Sequence, residues 1–354
     1  MTARKGKMTR IYPGSNTWKG FYSFYDSVLS GLDKVYVLKG GPGTGKSTLS
    51  KRIGLIMSDR GFDVELLCCS SDNNSLDGVI IPQIKVGVVD GTAPHVIDPK
   101  YPGVVEEIIN LGEFWDSGKL ETAKEEIINI CNKKTACYFQ AYKQLEQAHE
   151  QWALSQENNK GLSDETIKGL VAKLGQEIFT VPKPRLRQMF AGAITPNGPV
   201  HSTKEIVAEY KKKLRLTGGT RKDKSRFLQQ MSLLALEKGY DADLYHCFFD
   251  PEFHSMLLMP KMKLALIDNY LPYLGQLLNE DEFNGTILLG EEDIREPFST
   301  QAAKHLEKAV AQLKGAKLNH EELEKYYVQA MNYEGIDQVR EKLISKILNF
   351  ANRT

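Results

Sequence analysis

The first part of the chain alternates short apolar runs with a segment of helical periodicity. Residues 34–38 (KVYVL) are apolar, β-branched and aromatic, which predicts a buried strand. From residue 49 to residue 57 apolar positions recur at helical spacing, and residues 63–69 and 85–90 are two further apolar runs that predict strands. Strands that alternate with helices predict an α/β fold with a mainly parallel sheet flanked by helices.

The later part of each half has a different pattern. Residues 104–179 are mostly helical in periodicity, residues 119–151 are long, charged and periodic, and residues 301–314 and 321–350 repeat the theme. We expect a helical appendage on each half, packed pairwise, with charged faces in solvent. The alternative is a coiled-coil site for a protein partner.

Residues 40–94 match residues 218–272 at an offset of 178 without a gap. Further along the chain a nine-residue shortening aligns Ile167, Lys173 and Leu174 with Ile336, Lys342 and Leu343. The matching pairs include Gly40 with Gly218, Gly41 with Gly219, Lys46 with Lys224, Ser47 with Ser225 and Asp90 with Asp268. This register predicts two tandem homologous domains, residues 1–182 and 183–354, which meet in the proline-containing segment 181–184.

Composition narrows the class of protein. The 354 residues carry 46 basic and 45 acidic side chains, a balance that does not indicate a nucleic-acid-binding protein. No apolar run is long enough to cross a membrane, and the basic residues 1–10 lack a following signal-peptide core, so we expect a loose tail and a cytoplasmic protein. The five cysteines contain no CxxC pair, which argues against a disulfide framework or a zinc ribbon.

A glycine-rich loop between the first predicted strand and helix carries the clearest chemistry. It fits the GxxxxGK[ST] pattern, in which glycines turn backbone N–H groups inward to cradle phosphates. Lys46 would neutralise the β and γ phosphates of ATP, and the Ser47 hydroxyl would bind Mg²⁺. The predicted nucleotide-binding residues are Gly40, Gly41, Pro42, Gly43, Thr44, Gly45, Lys46, Ser47 and Thr48.

Three further residues are candidates for catalysis together with Lys46. Asp90 closes an apolar strand and is predicted to lie on the Mg²⁺ side of the site. Asp72 follows the second predicted strand and would orient water, accept a proton or hold Mg²⁺ through water; a turn is the alternative. His95 would sense the γ phosphate or act as an acid or base, unless it is an incidental loop residue.

These residues carry a family resemblance. The chain resembles the P-loop NTPase superfamily over residues 34–95, with Lys46, Ser47 and Asp90 at its Walker A and Walker B positions. It is also similar to an uncharacterised bacterial group of tandem P-loop ATP-binding proteins, through CSSDNNSLDG and VVDGTAPH. Asp90 follows Lys46 by only 44 residues, which favours nucleotide kinases and GTPase-type members, in which the acidic strand neighbours the loop strand. The absence of an NKxD string favours ATP over GTP.

The second copy of the loop is altered. Arg221 replaces Gly43 and Asp223 replaces Gly45, so side chains stand where backbone would approach phosphate. A carboxylate also repels a triphosphate, which predicts weak or absent binding there. The alternative role is an arginine finger, in which Arg221 or Lys222 reaches the first site.

Three functions fit these features. The first is a Mg²⁺-dependent ATPase that acts as a switch or assembly factor, with the helical appendages as a surface for a protein partner. The second is a nucleotide or small-molecule kinase, which requires an acceptor pocket and a base such as Asp72. The third is a nucleotide sensor that does not hydrolyse its ligand.

Overall fold

The computed structural model describes residues 5–93, 96–154, 161–178, 184–271, 273–294 and 298–352. The predicted domain junction and His95 lie outside these residues. Within them the chain forms two mixed sheets of six mostly parallel strands, flanked by helices, and three two-stranded hairpins.

The first half contains eight strands and five helices among its described residues. Its strands are β1 (Met8–Ile11), β2 (Gly14–Thr17), β3 (Gly20–Ser23), β4 (Lys34–Lys39), β5 (Val64–Cys68), β6 (Leu76–Ile81), β7 (Val86–Asp90) and β8 (Glu106–Asn110). Its helices are α1 (Tyr25–Val28), α2 (Lys46–Asp59), α3 (Ser117–Thr122), α4 (Lys124–Ala153) and α5 (Asp164–Ile178).

The described part of the second half repeats most of this order. Its strands are β9 (Leu186–Phe190), β10 (Gly192–Thr195), β11 (Gly198–His201), β12 (Lys212–Gly219), β13 (Ala242–His246), β14 (His254–Met259), β15 (Leu264–Ile267), β16 (Tyr270–Leu271), β17 (Gly275–Gln276) and β18 (Gly285–Asp293). Its helices are α6 (Thr203–Val207), α7 (Arg221–Glu237), α8 (Thr300–Ala330) and α9 (Tyr333–Ala351).

Both sheets have the same strand order. The first runs β1-β5-β6-β7-β4-β8 and the second β9-β13-β14-β15-β12-β18. Each has one antiparallel strand, β6 or β14, which pairs with both of its neighbours in the opposite direction. β6 was not predicted from the sequence, because residues 69–78 resemble a polar loop. Asp72 opens a turn just before β6, in which the Ser75 N–H donates to the Asp72 carbonyl.

Two other expectations about the first half were wrong. Residues 8–11 are not a loose tail, since β1 pairs in parallel with β5 at the sheet edge. The mostly helical segment that begins near residue 104 starts with a strand, because β8 pairs in parallel with β4 on the side opposite β7. Both strands are short and lie at sheet edges, so they are only partly buried and lack a long apolar run.

The two halves contact each other through residues at equivalent positions of the repeat. Tyr12 and Phe190, which are 178 positions apart, exchange backbone hydrogen bonds of 3.3 and 3.1 Å. Asn16 donates from Nδ2 to the carbonyl of Ile194, again at an offset of 178, over 2.9 Å. Contacts between a residue and its own counterpart are those of an approximate twofold arrangement.

A buried ion cluster also joins the halves. The Arg187 guanidinium donates two bonds of 2.8 Å to Asp243 and one of 2.7 Å to Glu65 of the first sheet. Arg187 is only 8% exposed. Two carboxylates compensate the buried guanidinium, and its pKa is raised well above the usual value despite burial.

The long helices pack across the halves. α4 and α8 run antiparallel against each other, with His305 bonded to Gln144 at 2.8 Å and Asn319 beside Cys137 at 3.6 Å. The pairwise packing expected from the sequence is therefore present. No helix in the described ranges is both long and apolar enough to cross a membrane.

The last helix of each half covers the sheet of the other half. Leu343 and Ile347 of α9 join the same apolar cluster as Leu49 and Ile53 of α2. On the other side, α5 packs on α7, where Ile167 joins the apolar cluster of the second sheet. Residues of the second half therefore lie next to the glycine-rich loop of the first.

Candidate functional site

The glycine-rich loop joins the end of β4 to the start of α2. Gly43 and Gly45 have φ angles of 70° and 82°, a conformation that other residues rarely adopt. Gly45 is the N-cap of α2 and offers no side chain to the first helical N–H groups. No side chain of the N-cap residue satisfies the N-terminus of α2, and helix N-termini of this kind favour anions.

The rest of the loop is held by its own polar groups. Thr44 is buried and its hydroxyl donates to the Gly41 carbonyl over 2.9 Å. Pro42 and Ser47 are half-buried, whereas Thr48 is exposed on the first turn of α2. The Ser47 Oγ accepts from the Leu76 N–H at 2.9 Å, which ties the start of α2 to β6.

Lys46 lies inside the loop. Its Nζ donates to the carbonyls of Gly40 and Gly41 at 2.7 Å each, and it stands 3.7 Å from the Asp90 carboxylate. Burial lowers the pKa of Lys46 although Asp90 opposes the shift. The ammonium group is therefore short of compensating negative charge.

Asp90 lies beside the loop strand. β7 pairs directly with β4, with Asp90 opposite Leu38, as the short spacing from Lys46 predicts. The Thr92 N–H donates to Asp90 over 2.8 Å, and the Thr92 hydroxyl donates to the Gly40 carbonyl over 3.1 Å. Burial raises the pKa of Asp90 more than Lys46 lowers it, so this carboxylate is also incompletely compensated.

Helices of the second half cover the loop. The Glu324 carboxylate accepts from the Gly43 N–H at 3.2 Å, and the Tyr333 hydroxyl donates to the Gly43 carbonyl at 3.2 Å. The Tyr327 ring packs on Gly41. Partial burial raises the pKa of Glu324, while its bond to Gly43 opposes the shift.

Arg340 of α9 brings a second positive charge to the loop. Its guanidinium packs on Gly45, so closely that a Cβ there would collide with it. One arm donates to Asp337 at 2.5 Å, whereas the buried Nε has no hydrogen-bond partner among the described residues. A guanidinium placed in this way has donors left for a phosphate group.

The sequence did not single out these covering residues. Glu324, Tyr333 and Arg340 belong to charged helical stretches that were expected to be solvated, and their contacts correct that expectation. One signal could have found Arg340: the repeat register, with its nine-residue shortening, pairs it with Val171, so the charge is specific to the second half. Val171 is buried in the apolar cluster over α7.

The altered loop of the second half is not a loop. α7 begins at Arg221, three positions before the Lys224 that corresponds to the first residue of α2. Thr220 and Asp223 form a capping box, in which Asp223 accepts from the Thr220 N–H at 2.9 Å. Asp223 also accepts from the Leu162 N–H at 2.6 Å, so its carboxylate lies where an anion would have to bind.

The remaining polar frame of that copy is retained. Lys224 lies 3.5 Å from Asp268, and the Ser225 Oγ accepts from the His254 N–H at 2.9 Å. These contacts parallel those of Lys46 with Asp90 and of Ser47 with the Leu76 N–H in the first half. Lys224 and Asp268 are almost completely buried. Lys224 and Asp268 therefore form a structural ion pair at the start of α7.

Arg221 is not placed as an arginine finger. Its guanidinium is buried and stacks on the rings of Trp152 and Phe253 at 4.5 and 4.6 Å. Lys222 follows it on the first turn of α7. The hypothesis that Arg221 reaches the first site was wrong, because aromatic side chains enclose it.

Asp72 is engaged elsewhere. Its carboxylate accepts from Lys317 of α8 at 2.7 Å and from the Asn74 N–H at 3.2 Å. It thus combines the turn that the sequence offered as an alternative with an ion pair to the second half. His95 lies outside the described residues, and its predicted role stays a prediction.

Comparisons with known proteins leave the site to be interpreted from its geometry. The chain matches no protein-family model, no curated protein and no solved structure. Over the described ranges, no group of three or more His, Cys, Asp or Glu side chains is arranged to hold a metal ion. A Mg²⁺ ion at Ser47 and Asp90 would need phosphate oxygens and water to complete its coordination.

Proposed function

We propose that the chain binds ATP with Mg²⁺ at a single site, formed by the loop between β4 and α2. The observation that carries the proposal is the buried pair of Lys46 and Asp90 at this loop. Burial shifts the pKa of both groups toward their neutral forms. A phosphate beside Lys46 and a cation beside Asp90 would compensate both charges, and MgATP supplies the two together.

The loop residues have distinct roles in this proposal. The N–H groups of the loop and of the first turn of α2 would bind phosphate oxygens. Lys46 would turn from the Gly40 and Gly41 carbonyls to the β and γ phosphates. Ser47 and Asp90 would hold Mg²⁺, which neutralises charge on the phosphate oxygens.

Hydrolysis is the reaction that we favour. A water oxygen would bond to the γ phosphorus while the bond from that phosphorus to the β–γ bridging oxygen breaks, releasing ADP and phosphate. Arg340, which packs on Gly45, would add positive charge near the phosphates. The kinase alternative is weakened, because its suggested base, Asp72, is paired with Lys317.

We further infer that the halves are tandem P-loop NTPase-like copies of which only the first binds nucleotide. The matching strand orders and the 178-residue register support the duplication. The capping box at Thr220 and Asp223 supports the loss of the second site. A cytoplasmic location stays a prediction from the sequence.

The long helices are the proposed output of a nucleotide switch. α8 contacts the loop through Glu324 and packs along α4, whose residues Ile128 and Phe139 are exposed apolar side chains, as is Leu318 of α8. A change at the loop would be transmitted to this helix pair. A protein partner would bind there, as the sequence expectation holds.

One experiment separates the three functions. The full-length chain is titrated with MgATP and MgGTP, and phosphate release is followed with and without a panel of nucleosides and nucleotides. ATP turnover alone supports an ATPase, turnover that requires an acceptor identifies a kinase, and binding without turnover identifies a sensor. Failure to bind any nucleoside triphosphate up to millimolar concentration would reject the proposal.

A further inference from the structure

The phosphate loop already has an anion from within the chain. Glu324, on α8 of the second half, accepts the Gly43 N–H at 3.2 Å. Gly43 has a left-handed backbone conformation that turns its N–H inward, and inward N–H groups are what such a loop offers to phosphate. A carboxylate and a phosphate cannot both accept this N–H, and their like charges repel.

The other loop contacts of the second half support the same closed arrangement. The Tyr333 hydroxyl donates to the Gly43 carbonyl, and the rings and side chains of Tyr327 and Val328 lie against Gly41 and Gly43. Lys46 meanwhile donates to two loop carbonyls, which occupies the ammonium group that a triphosphate would need. Residues of α8 and α9 therefore cover the loop, and Lys46 is bonded to the loop's own carbonyls.

Ion pairs hold these helices on the first sheet. Lys317 pairs with Asp72 at 2.7 Å and Arg52 with Glu341 at 2.6 Å, while Lys346 of α9 pairs with a glutamate of β8. These pairs are at least partly exposed and weak, so they position the helices without locking them.

The turn between α8 and α9 is fixed by the backbone. The Asp116 N–H donates to the Ala330 carbonyl at 2.8 Å, and the Asn332 N–H donates to the Phe114 carbonyl at 2.7 Å. Glu324 lies almost two helical turns before this anchor. A small movement of α8 about the anchored turn would thus remove the carboxylate from Gly43 while α9 stays in place.

We propose that Glu324 is an internal competitor of the triphosphate, so that α8 is an autoinhibitory cap on the phosphate loop. This inference rests on the proposed nucleotide site. Nucleotide binding must displace Glu324, and any partner that pulls α8 away from the loop raises the affinity for nucleotide. The linked equilibrium joins the helix pair α4–α8 to the occupancy of the site.

The test compares Glu324→Ala and Glu324→Gln with Glu322→Ala in the full-length chain. Glu322 is exposed on the same helix, and Glu322→Ala removes the same charge, so this variant is the matched control. Loss of the Glu324 bond should raise affinity for MgADP and MgATP about fivefold, the equivalent of roughly 1 kcal/mol. The size is modest, because the Glu324 side chain is 41% exposed. Affinity equal to or below that of Glu322→Ala would overturn the proposal.

A second measurement judges the cap without any nucleotide. Backbone hydrogen exchange in residues 40–47 should be faster in Glu324→Ala than in Glu322→Ala, because the Gly43 N–H loses its acceptor. Unchanged exchange would overturn the cap. If neither the wild-type chain nor Glu324→Ala binds nucleotide, the proposed function fails, and hydrogen exchange alone then decides whether Glu324 closes the loop.

Discussion

The two lysines of the duplicated loops give the sharpest test of which half binds nucleotide. Lys46 and Lys224 are equivalent in the repeat, and each faces the equivalent aspartate, at 3.7 Å and 3.5 Å respectively. Lys46 is the first residue of α2 after the glycine-rich loop, whereas Lys224 lies within the first turns of α7. We predict that methionine at Lys46 lowers nucleotide affinity, whereas methionine at Lys224 lowers the stability of the fold.

Lys46→Met should weaken nucleotide binding. Charge-assisted bonds to the β and γ phosphates contribute about 1.5–3 kcal/mol each. Two bonds to loop carbonyls, at 2.7 Å each, must be broken first, which offsets about 1 kcal/mol for each. The net loss of roughly 1–4 kcal/mol corresponds to about a 5- to 1,000-fold weaker affinity. The fold should persist, because Asp90 keeps its bond from Thr92.

Lys224→Met should instead weaken the fold. Its side chain is 5% exposed and that of Asp268 is 4% exposed, so the substitution leaves a buried carboxylate without its cation. Breaking one side of a buried pair costs about 3–5 kcal/mol. The double variant Lys224→Met with Asp268→Asn removes the uncompensated charge and should recover much of that stability.

Calorimetric titration with Mg²⁺ and a non-hydrolysable ATP analogue, together with urea unfolding of the same samples, checks both predictions. Wild-type affinity in Lys46→Met would refute the assignment of the loop. Loss of affinity in a folded Lys224→Met double variant would refute the assignment of binding to the first half alone.

Three further predictions concern stability. Arg187→Met leaves two facing carboxylates and should lower the free energy of unfolding in urea by about 3–5 kcal/mol, whereas exposed Arg185→Met should change it by less than about 1 kcal/mol; equal effects would contradict the role of the ion cluster. Gly45→Ala forces a side chain to a φ of 82° and should cost about 1–2 kcal/mol, whereas Gly169→Ala, in open space on a helix, should be neutral or stabilising when both are unfolded thermally. Burial lowers the pKa of His254 to about 4, below its unfolded value, so its contribution of roughly 3 kcal/mol is present above pH 6.5 and is lost as pH falls toward 4. Urea unfolding of His254→Gln between pH 7 and pH 4.5 should show a smaller loss of stability than the wild-type chain, and an identical pH profile would count against this assignment.

The strands that the sequence predicted in the first sheet, β4, β5 and β7, are mostly buried, whereas β6 is fully buried and was missed because its first residues continue a polar segment. β4, β5 and β7 are continuous apolar runs, and such runs are visible without knowledge of their neighbours. β1 and β8 lie at sheet edges and are partly exposed, so their sequences do not differ from those of loops. Their place is decided by pairing with β5 and β4, which is tertiary information.

The candidate site divides in the same way. The placement of Lys46, Ser47 and Asp90 close together was predictable, because the GxxxxGK[ST] pattern fixes residue types at fixed spacings along one strand, loop and helix. Glu324 and Arg340 were not, because they reach the loop from helices almost 300 residues away, and their position depends on how the halves pack. The sequence of a charged helix does not show whether its charged side chains face water or a neighbouring loop.

The proposed function gives the second half a role although it has no glycine-rich loop of its own. α7 replaced the loop by a capping box, which stabilises a helix and closes an anion site at once. α8 and α9, in contrast, contact the first loop through Glu324 and Arg340, residues whose repeat counterparts are Glu146 and Val171. Under the proposed function, the altered copy has no ligand of its own and controls the ligand of its neighbour, since the covering helices belong to one half and the glycine-rich loop to the other.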